Sequence, residues 1–321
     1  MHKNRIYTDA ISPNFINFAN QRKHSLNMEF FDYFTRLSGM DPTQLPVYVR
    51  VLTFIVPVVI LVYVICLIVR AVRKSVKALR HVRLGVRAKE DTSLSADSVR
   101  AIAVGALYAY QQGGYTDVMY PDIEESRLNT LLAEWWGIDS REDAIETLNY
   151  LCNAPSQQIL PFVYAAYKTS DKDEVSKMIM DYASQYEDAE VAFRSIADKV
   201  RTQSDNLKGQ IKELVNDGII SSDEDIRELG VIAWDAGRLN LVARASLQKG
   251  YISDEECLEC VNHAYAMAQS AGFNSWKEFA NSYMLGRTLW NGDCNMSGLA
   301  QDLLTKAESP WVRYAWKSQS N

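Results

Sequence analysis

The chain has 321 residues, with 40 acidic and 34 basic side chains and a formal net charge of −6. That length makes one large domain or two small ones, and it can bury a full core without disulfide or metal staples. Only 15 glycines and 8 prolines exclude a collagen-like or Pro/Gly-rich disordered chain and weigh against an all-β protein, which needs many tight turns.

Residues 1–46 read as an N-terminal tail. Within it Met28 opens MEFFDYF, a natural-looking start, so residues 1–27 are read as an extension that need not be native. Then Val51 to Val69 runs VLTFIVPVVILVYVICLIV, 19 residues without a charge, between Arg50 and Arg70. A hydrocarbon layer about 30 Å thick needs about 20 apolar residues at about 1.5 Å rise each. The run has no polar face, and strands usually reach only about 5–6 residues. The pattern predicts a transmembrane helix over 47–69, with Pro57 tolerated where neighbours or water satisfy the freed carbonyl. It is too long for a cleavable signal peptide, and a basic run follows where a small-residue cleavage site would stand.

That run holds Arg70, Arg73, Lys74, Lys77, Arg80, Arg83, Arg87 and Lys89 with no acid among them. Such an excess places the C-terminal flank in the cytoplasm and the N-terminus outside. Val72, Val76, Leu79, Val82 and Val86 recur at helical spacing among the basic residues. Residues 70–97 therefore read as a basic juxtamembrane segment and linker. Either Arg70, Arg73, Lys74, Lys77, Arg80, Arg83 and Arg87 contact anionic lipid, or the segment simply continues the membrane helix.

Beyond residue 89 the charge reverses, with 36 acids against 20 bases. A domain so acidic is unsuited to nucleic acid, which is gripped by clustered Lys and Arg. The periodicity from residue 98 to the end predicts helices over about 98–112, from Pro121 to Trp136, over 141–152, and two or three within 156–216. Others follow over 223–248, 254–271, 276–290 and 297–307. No stretch alternates as a strand does. Residues 98–321 are thus expected to form an acidic all-α domain of about nine or ten helices.

One local device recurs at Gly137-Ile138-Asp139-Ser140, Gly218-Ile219-Ile220-Ser221, Gly250-Tyr251-Ile252-Ser253 and Gly272-Phe273-Asn274-Ser275. Glycine closes one helix in the left-handed conformation, an apolar residue packs back, and Ser or Asp caps the next helix with an acid three positions on. The glycines are 81, 32 and 22 residues apart. Periods so uneven argue against a regular helical repeat.

Ala233-Trp234-Asp235-Ala236-Gly237-Arg238 leads through Arg244 to Gly250-Tyr251-Ile252-Ser253. Ser275-Trp276-Lys277-Glu278-Phe279 and Ser282-Tyr283-Met284-Leu285-Gly286-Arg287 follow, then Trp290. Trp136-Gly137-Ile138 stands upstream, and Ser309-Pro310-Trp311 and Trp316 close the series. Over about 128–316 this order resembles the bacterial family catalogued as domain of unknown function 1266, here in a membrane-anchored version. The resemblance implies an all-helical bacterial domain and no established activity, cofactor or catalytic residue.

Three constellations invite chemistry. Trp234, Asp235 and Arg238 fall within one helical turn, with Arg244 and Arg287 as candidate neighbours. They read either as an anion site of convergent guanidiniums or as a salt bridge joining the 223–248 and 276–290 helices. The tryptophans read mainly as core filling. Tyr251, Trp276, Tyr283 and Trp290 nevertheless join the partner- or anion-binding candidates, and Trp311 and Trp316 are read as surface anchors. Cys257, Cys260 and His263 share a helical face. One CxxC without a second pair is a weak metal signal, so no metal and no cofactor is expected. Motifs of the GxxxxGK, GxGxxG, GxSxG and HExxH types are missing, and His263 is the only histidine beyond His2, His24 and His81. The catalytic residues, if any, stay unknown.

The sequence therefore reads as a single-pass protein of the bacterial inner membrane. Its cytoplasmic domain is a non-catalytic interaction or regulatory module for a protein partner, a basic one in the case of an immunity-type role. The alternative is an enzyme acting on a phosphorylated or carboxylated small molecule through Arg238, Arg244 and Arg287.

Overall fold

The computed structural model describes residues 85–317, together with Val59 and Tyr63. The tail, nearly all of the 47–69 segment and the basic residues from Arg70 to Arg83 lie outside the described residues. Among those described, no helix is long and apolar enough to cross a membrane.

The described domain is all-helical. Its α-helices are α1 (Ala96–Ala103), α2 (Ala106–Gln112), α3 (Glu125–Asn129), α4 (Arg141–Cys152), α5 (Pro155–Lys168), α6 (Lys172–Ala183) and α7 (Ala189–Asn216). After them come α8 (Asp225–Leu229), α9 (Ile232–Lys249), α10 (Asp254–Ser270), α11 (Trp276–Asn291), α12 (Ser297–Thr305) and α13 (Pro310–Arg313). A π turn, Thr130–Trp135, continues α3. No strand forms among the described residues beyond an isolated bridge between Arg87 and Tyr115.

Helices outnumber the nine or ten expected because two long segments split. The first breaks at Gly105. A Cβ there would collide with the Asn240 side chain, coming within 2.7 Å of its Cγ. The segment 223–248 breaks at Gly230, whose φ of 62° ends the short α8. The four-residue α13 after Pro310 carries too little periodicity to be seen in sequence.

The capped joints form as local chemistry dictates. Gly250 (φ 78°) closes α9, and Ser253 and Glu256 make a complete capping box at the start of α10. At α11 the Ser275 side chain accepts from Glu278 N, while Glu278 reaches one residue further back, to Asn274 N. The apolar residues after the glycines, Ile138, Ile219, Ile252 and Phe273, are all buried.

Helix α9 is the axis of the domain. Every residue from Ala233 to Ser246 is buried, and α2, α4, α5, α10 and α11 pack around it. Its crossing with α11 depends on two reciprocal glycines. A Cβ on Gly237 would lie 2.7 Å from Tyr283 Cε2, and one on Gly286 would collide with Trp234, 2.8 Å from its Cγ. Each helix thus gives up a side chain where the other inserts an aromatic ring.

The C-terminal end is sealed by aromatic packing. Trp276 stacks on Trp311 with centroids 5.2 Å apart and meets Trp316 edge-on at 4.6 Å. Trp276 Nε1 donates to Tyr314 O at 2.8 Å, and Trp311 Nε1 donates to Ala103 O at 2.9 Å. Trp311 and Trp316 are therefore buried core residues and not the surface anchors expected from their place near the terminus.

The described part of the 70–97 segment lies against the domain. Asp117, itself buried, accepts from Lys89 N at 2.9 Å and Glu90 N at 2.8 Å. Arg87, grouped by sequence with the lipid contacts, turns inward. It donates to Gly113 O at 2.6 Å and to Asp122 Oδ2 at 2.7 Å, and it stacks over Tyr115.

Gly286→Ala is expected to destabilise the purified chain by about 1–3 kcal/mol, because overpacking forces the crossing apart. Gly209→Ala, in α7 with nothing within 4 Å of its added Cβ, should gain up to about 1 kcal/mol of helix propensity. Urea titrations followed by tryptophan fluorescence read both. Equal effects would contradict the crossing.

Candidate functional site

Asp235 and Arg238 form the predicted i,i+3 ion pair. Asp235 has no solvent exposure and Arg238 has 7%. The carboxylate does a second job. It accepts from Ser156 N at 3.0 Å and Gln157 N at 2.9 Å, the first amides of α5. Ala154, the residue ahead of that helix, supplies no side-chain cap. Asp235 thus caps α5 from outside, where the helix dipole favours an anion. Arg238 Nη2 also donates to Ser156 Oγ at 2.8 Å, and its guanidinium lies 4.6 Å from the Trp234 ring centre and 5.7 Å from that of Trp136. The pair therefore joins α9 to α5, whereas the sequence reading joined it to α11. The α9–α11 register rests on the two glycines instead.

Arg244 is fully buried, and backbone carbonyls fill its fork. Nη2 donates to Tyr115 O and to Val118 O, both at 2.7 Å, and Nε donates to Met119 O at 3.2 Å. Burial lowers its pKa to about 10, so the charge survives at neutral pH. It fastens the 115–119 loop and shares no partner with Arg238. The three-guanidinium pocket envisaged for Arg238, Arg244 and Arg287 does not assemble.

Two other candidates stand apart from the Asp235–Arg238 pair, one buried and one half-buried. Trp276 belongs to the aromatic seal. Tyr251 offers its carbonyl to Arg141 at 3.1 Å, beside the ion pair of Arg141 with Glu256.

Trp234, Tyr283, Arg287 and Trp290 do come together. Tyr283, Arg287 and Trp290 recur along one face of α11, and Trp234 faces them from α9. The Trp234 and Tyr283 rings meet edge-on at 5.1 Å, Trp290 lies 6.0 Å from Trp234, and the Arg287 guanidinium lies 5.3 Å from the Trp290 ring centre. Among the described residues, five buried side-chain polar atoms have no hydrogen-bond partner, and three belong to this corner: Trp234 Nε1, Tyr283 Oη and Arg287 Nη1. Burial pushes the Tyr283 phenol far above its ordinary pKa, and Arg287 and Arg238 oppose that shift only weakly. Its hydroxyl therefore keeps its proton. Trp290 stands at the rim, 57% exposed.

Sequence reasoning missed two residues of this corner. Trp136 Nε1 donates to Tyr108 Oη at 3.2 Å, and Tyr108 is within electrostatic reach of Arg238 and Arg287. The Trp135-Trp136-Gly137 signal was visible. Tyr108, in an ordinary apolar helix, gave none.

The described cysteines are all free thiols, and Cys152 and Cys260 are the two that lie together. Among the described residues no group of three His, Cys, Asp or Glu side chains is placed to hold an ion. Cys257 Sγ contacts Met119 Sδ at 3.5 Å, while the free thiol of Cys260 lies against that of Cys152, the last residue of α4. His263 Nε2 meets Cys152 O at 3.1 Å. The hydrogen bond from Cys260 lowers the Cys152 thiol to about 6, with His263 adding to the shift.

The profile described as protein of unknown function (DUF1266) matches residues 131–316, and the chain belongs to that family. The uncharacterized protein YbeU of Escherichia coli (strain K12) is 23% identical over 188 residues, covering 58% of this chain and 67% of the relative. No solved structure matches.

Two predictions follow from this geometry. Asp235→Ala leaves Arg238 buried and unpaired and uncaps α5, which should cost about 3–5 kcal/mol. A chemical-denaturation midpoint within error of wild type would refute that role. Separately, iodoacetamide should alkylate Cys152 in the native chain with a midpoint near pH 6, while Cys257, pushed up to about 12 by burial, stays protected. Because the folded pKa is depressed, the thiolate stabilises the fold fully above the unfolded value of 9.0 and loses that effect as pH falls through about 6. Alkylation centred on the ordinary thiol range would contradict the Cys152–Cys260 pairing.

Proposed function

We propose that this chain is a membrane-tethered interaction module whose helical domain binds a protein partner at the corner between α9 and α11. The observation that carries the reading is the set of unpartnered donors, Trp234 Nε1, Tyr283 Oη and Arg287 Nη1, beneath an exposed Trp290. A buried donor left without an acceptor costs about 1–3 kcal/mol. A partner that supplies the acceptor recovers that cost, and an exposed indole beside it is the residue type that dominates interface energetics.

The uncharged run from Val51 to Val69 supports a single span in the bacterial inner membrane, N-terminus outside and domain in the cytoplasm, with the basic residues from Arg70 to Arg83 on anionic headgroups. Tethering confines the partner search to the membrane surface and raises effective concentration. The acidic domain favours a partner with a basic approach surface. Asp235, Arg238 and Arg244 serve the fold in this reading, and the partner meets Arg287, Trp290 and Trp136.

Affinity capture of the full-length protein from detergent-solubilised native membranes, with cross-linking, tests this. A stoichiometric partner is expected with wild type and should be lost with Arg287→Ala plus Trp290→Ala, at unchanged helicity and melting temperature. Capture unaffected by the double substitution, or no partner at all, overturns the docking site. Release of the chain from membranes by alkaline carbonate overturns the tether.

A further inference from the structure

The corner has a charge count as well as a shape, and together they name a ligand chemistry. Two cationic side chains lie near it, Arg238 and Arg287. Arg238 is already neutralised by Asp235, which leaves Arg287 as the one charge there without an ionic partner among the described residues. Around it stand an indole N–H and a phenol O–H, both more than nine-tenths buried and both without an acceptor. The walls are the rings of Trp234, Tyr283 and Trp290.

We propose that this corner is a carboxylate-binding site, in which Arg287, Tyr283 and Trp234 donate to the two oxygens of one carboxylate. The argument is a matching of inventories. A carboxylate carries one negative charge and about four lone-pair sites and has no donor. The corner offers one positive charge and three donors, and of those three groups only Tyr283 Oη can also accept. A phosphate dianion would bring a second charge that nothing here neutralises, into a domain that is itself strongly acidic. A neutral amide would leave the guanidinium charge unmatched and place its own N–H₂ among donors.

Trp290 supplies the entrance. Its ring covers Arg287 and approaches Trp234 from the inside while its outer face meets solvent. Rotamer changes of exposed side chains are fast, so the indole uncovers the donors without disturbing the α9–α11 crossing. This inference rests on the proposed docking corner. It supplies the chemistry of the contact, a carboxylate presented either by a partner's chain terminus or by a small free acid.

The test is a titration of the full chain in detergent, labelled with 15N at its tryptophan indoles. Trp234→Phe assigns the Trp234 resonance. Sodium acetate should shift that resonance saturably in the millimolar range. Arg287→Met should weaken the response by about tenfold or more, and Tyr283→Phe, which keeps the ring, should weaken it in the same direction. The remaining indole resonances report whether each variant is folded. A short peptide ending in a free carboxylate, compared with its amidated form, separates the two sources. A response to the free-acid peptide but not to the amidated one assigns a chain terminus, and a response to acetate alone assigns a small acid. Both outcomes uphold the site. No saturable shift, an equal response to acetamide, or an equal response to inorganic phosphate overturns it. If acetate binds but partner capture survives loss of Arg287 and Trp290, the carboxylate site stands and the docking reading falls. If capture depends on them while acetate and the peptide are silent, the reverse holds.

Discussion

The burial of α9 on every side is the constraint from which the rest of the domain follows. A helix surrounded by protein cannot leave its polar groups to water, so each needs a partner within the fold. Asp235 finds the amides of α5 and the guanidinium of Arg238. Asn240 donates to Ala101 O at 2.9 Å under the open side of Gly105. Arg244 takes three carbonyls of the 115–119 loop. The polar residues of the central helix thereby set where α5, α1 and that loop sit. Replacing them by apolar residues would fill the same space without fixing those positions.

Against that bookkeeping the α9–α11 corner stands apart. Elsewhere along α9 the charged and amide side chains are matched, often more than once, and the one described exception is the lone Ser246 hydroxyl near the helix's C-terminal end. At the corner, three neighbouring groups are buried and unmatched, and beside them stands an indole open to solvent. Polar groups left this way are costly to the fold, and such a cost persists where a ligand repays it. That contrast within one helix supports a binding role for Trp234, Tyr283 and Arg287 and a structural one for Asp235, Arg238 and Arg244.

Much of the fold was legible from residue order. The helix read over about 141–152 is α4, Arg141–Cys152, and the starts of α10 and α11 were marked by Ser253 and Ser275 with their acids three positions on. The site was only partly legible. Trp234, Tyr283, Arg287 and Trp290 were named, yet so were Arg244, Tyr251 and Trp276, which serve the core or its edge. Composition could not separate them, since an arginine bound to carbonyls and one awaiting a ligand are the same letter. Trp311 and Trp316 misled for a related reason. A place near a chain end suggests exposure, but the stack on Trp276 depends on a helix that begins 35 residues before Trp311.

What residue order determined by itself is the helical character of the domain, its acidity and the glycine-capped joints. Each of those rests on interactions among residues within about four positions, or on simple charge. The proposal of a membrane span likewise rests on the uncharged run alone. Tertiary structure decided which of the buried charges serve the fold and which group of donors is left over. The partners concerned lie far apart in the chain: Asp235 meets Gln157 across 78 positions, and Arg244 meets Tyr115 across 129. Whether a side chain is spent inside the fold or kept for a ligand is settled only when such distant segments are packed together.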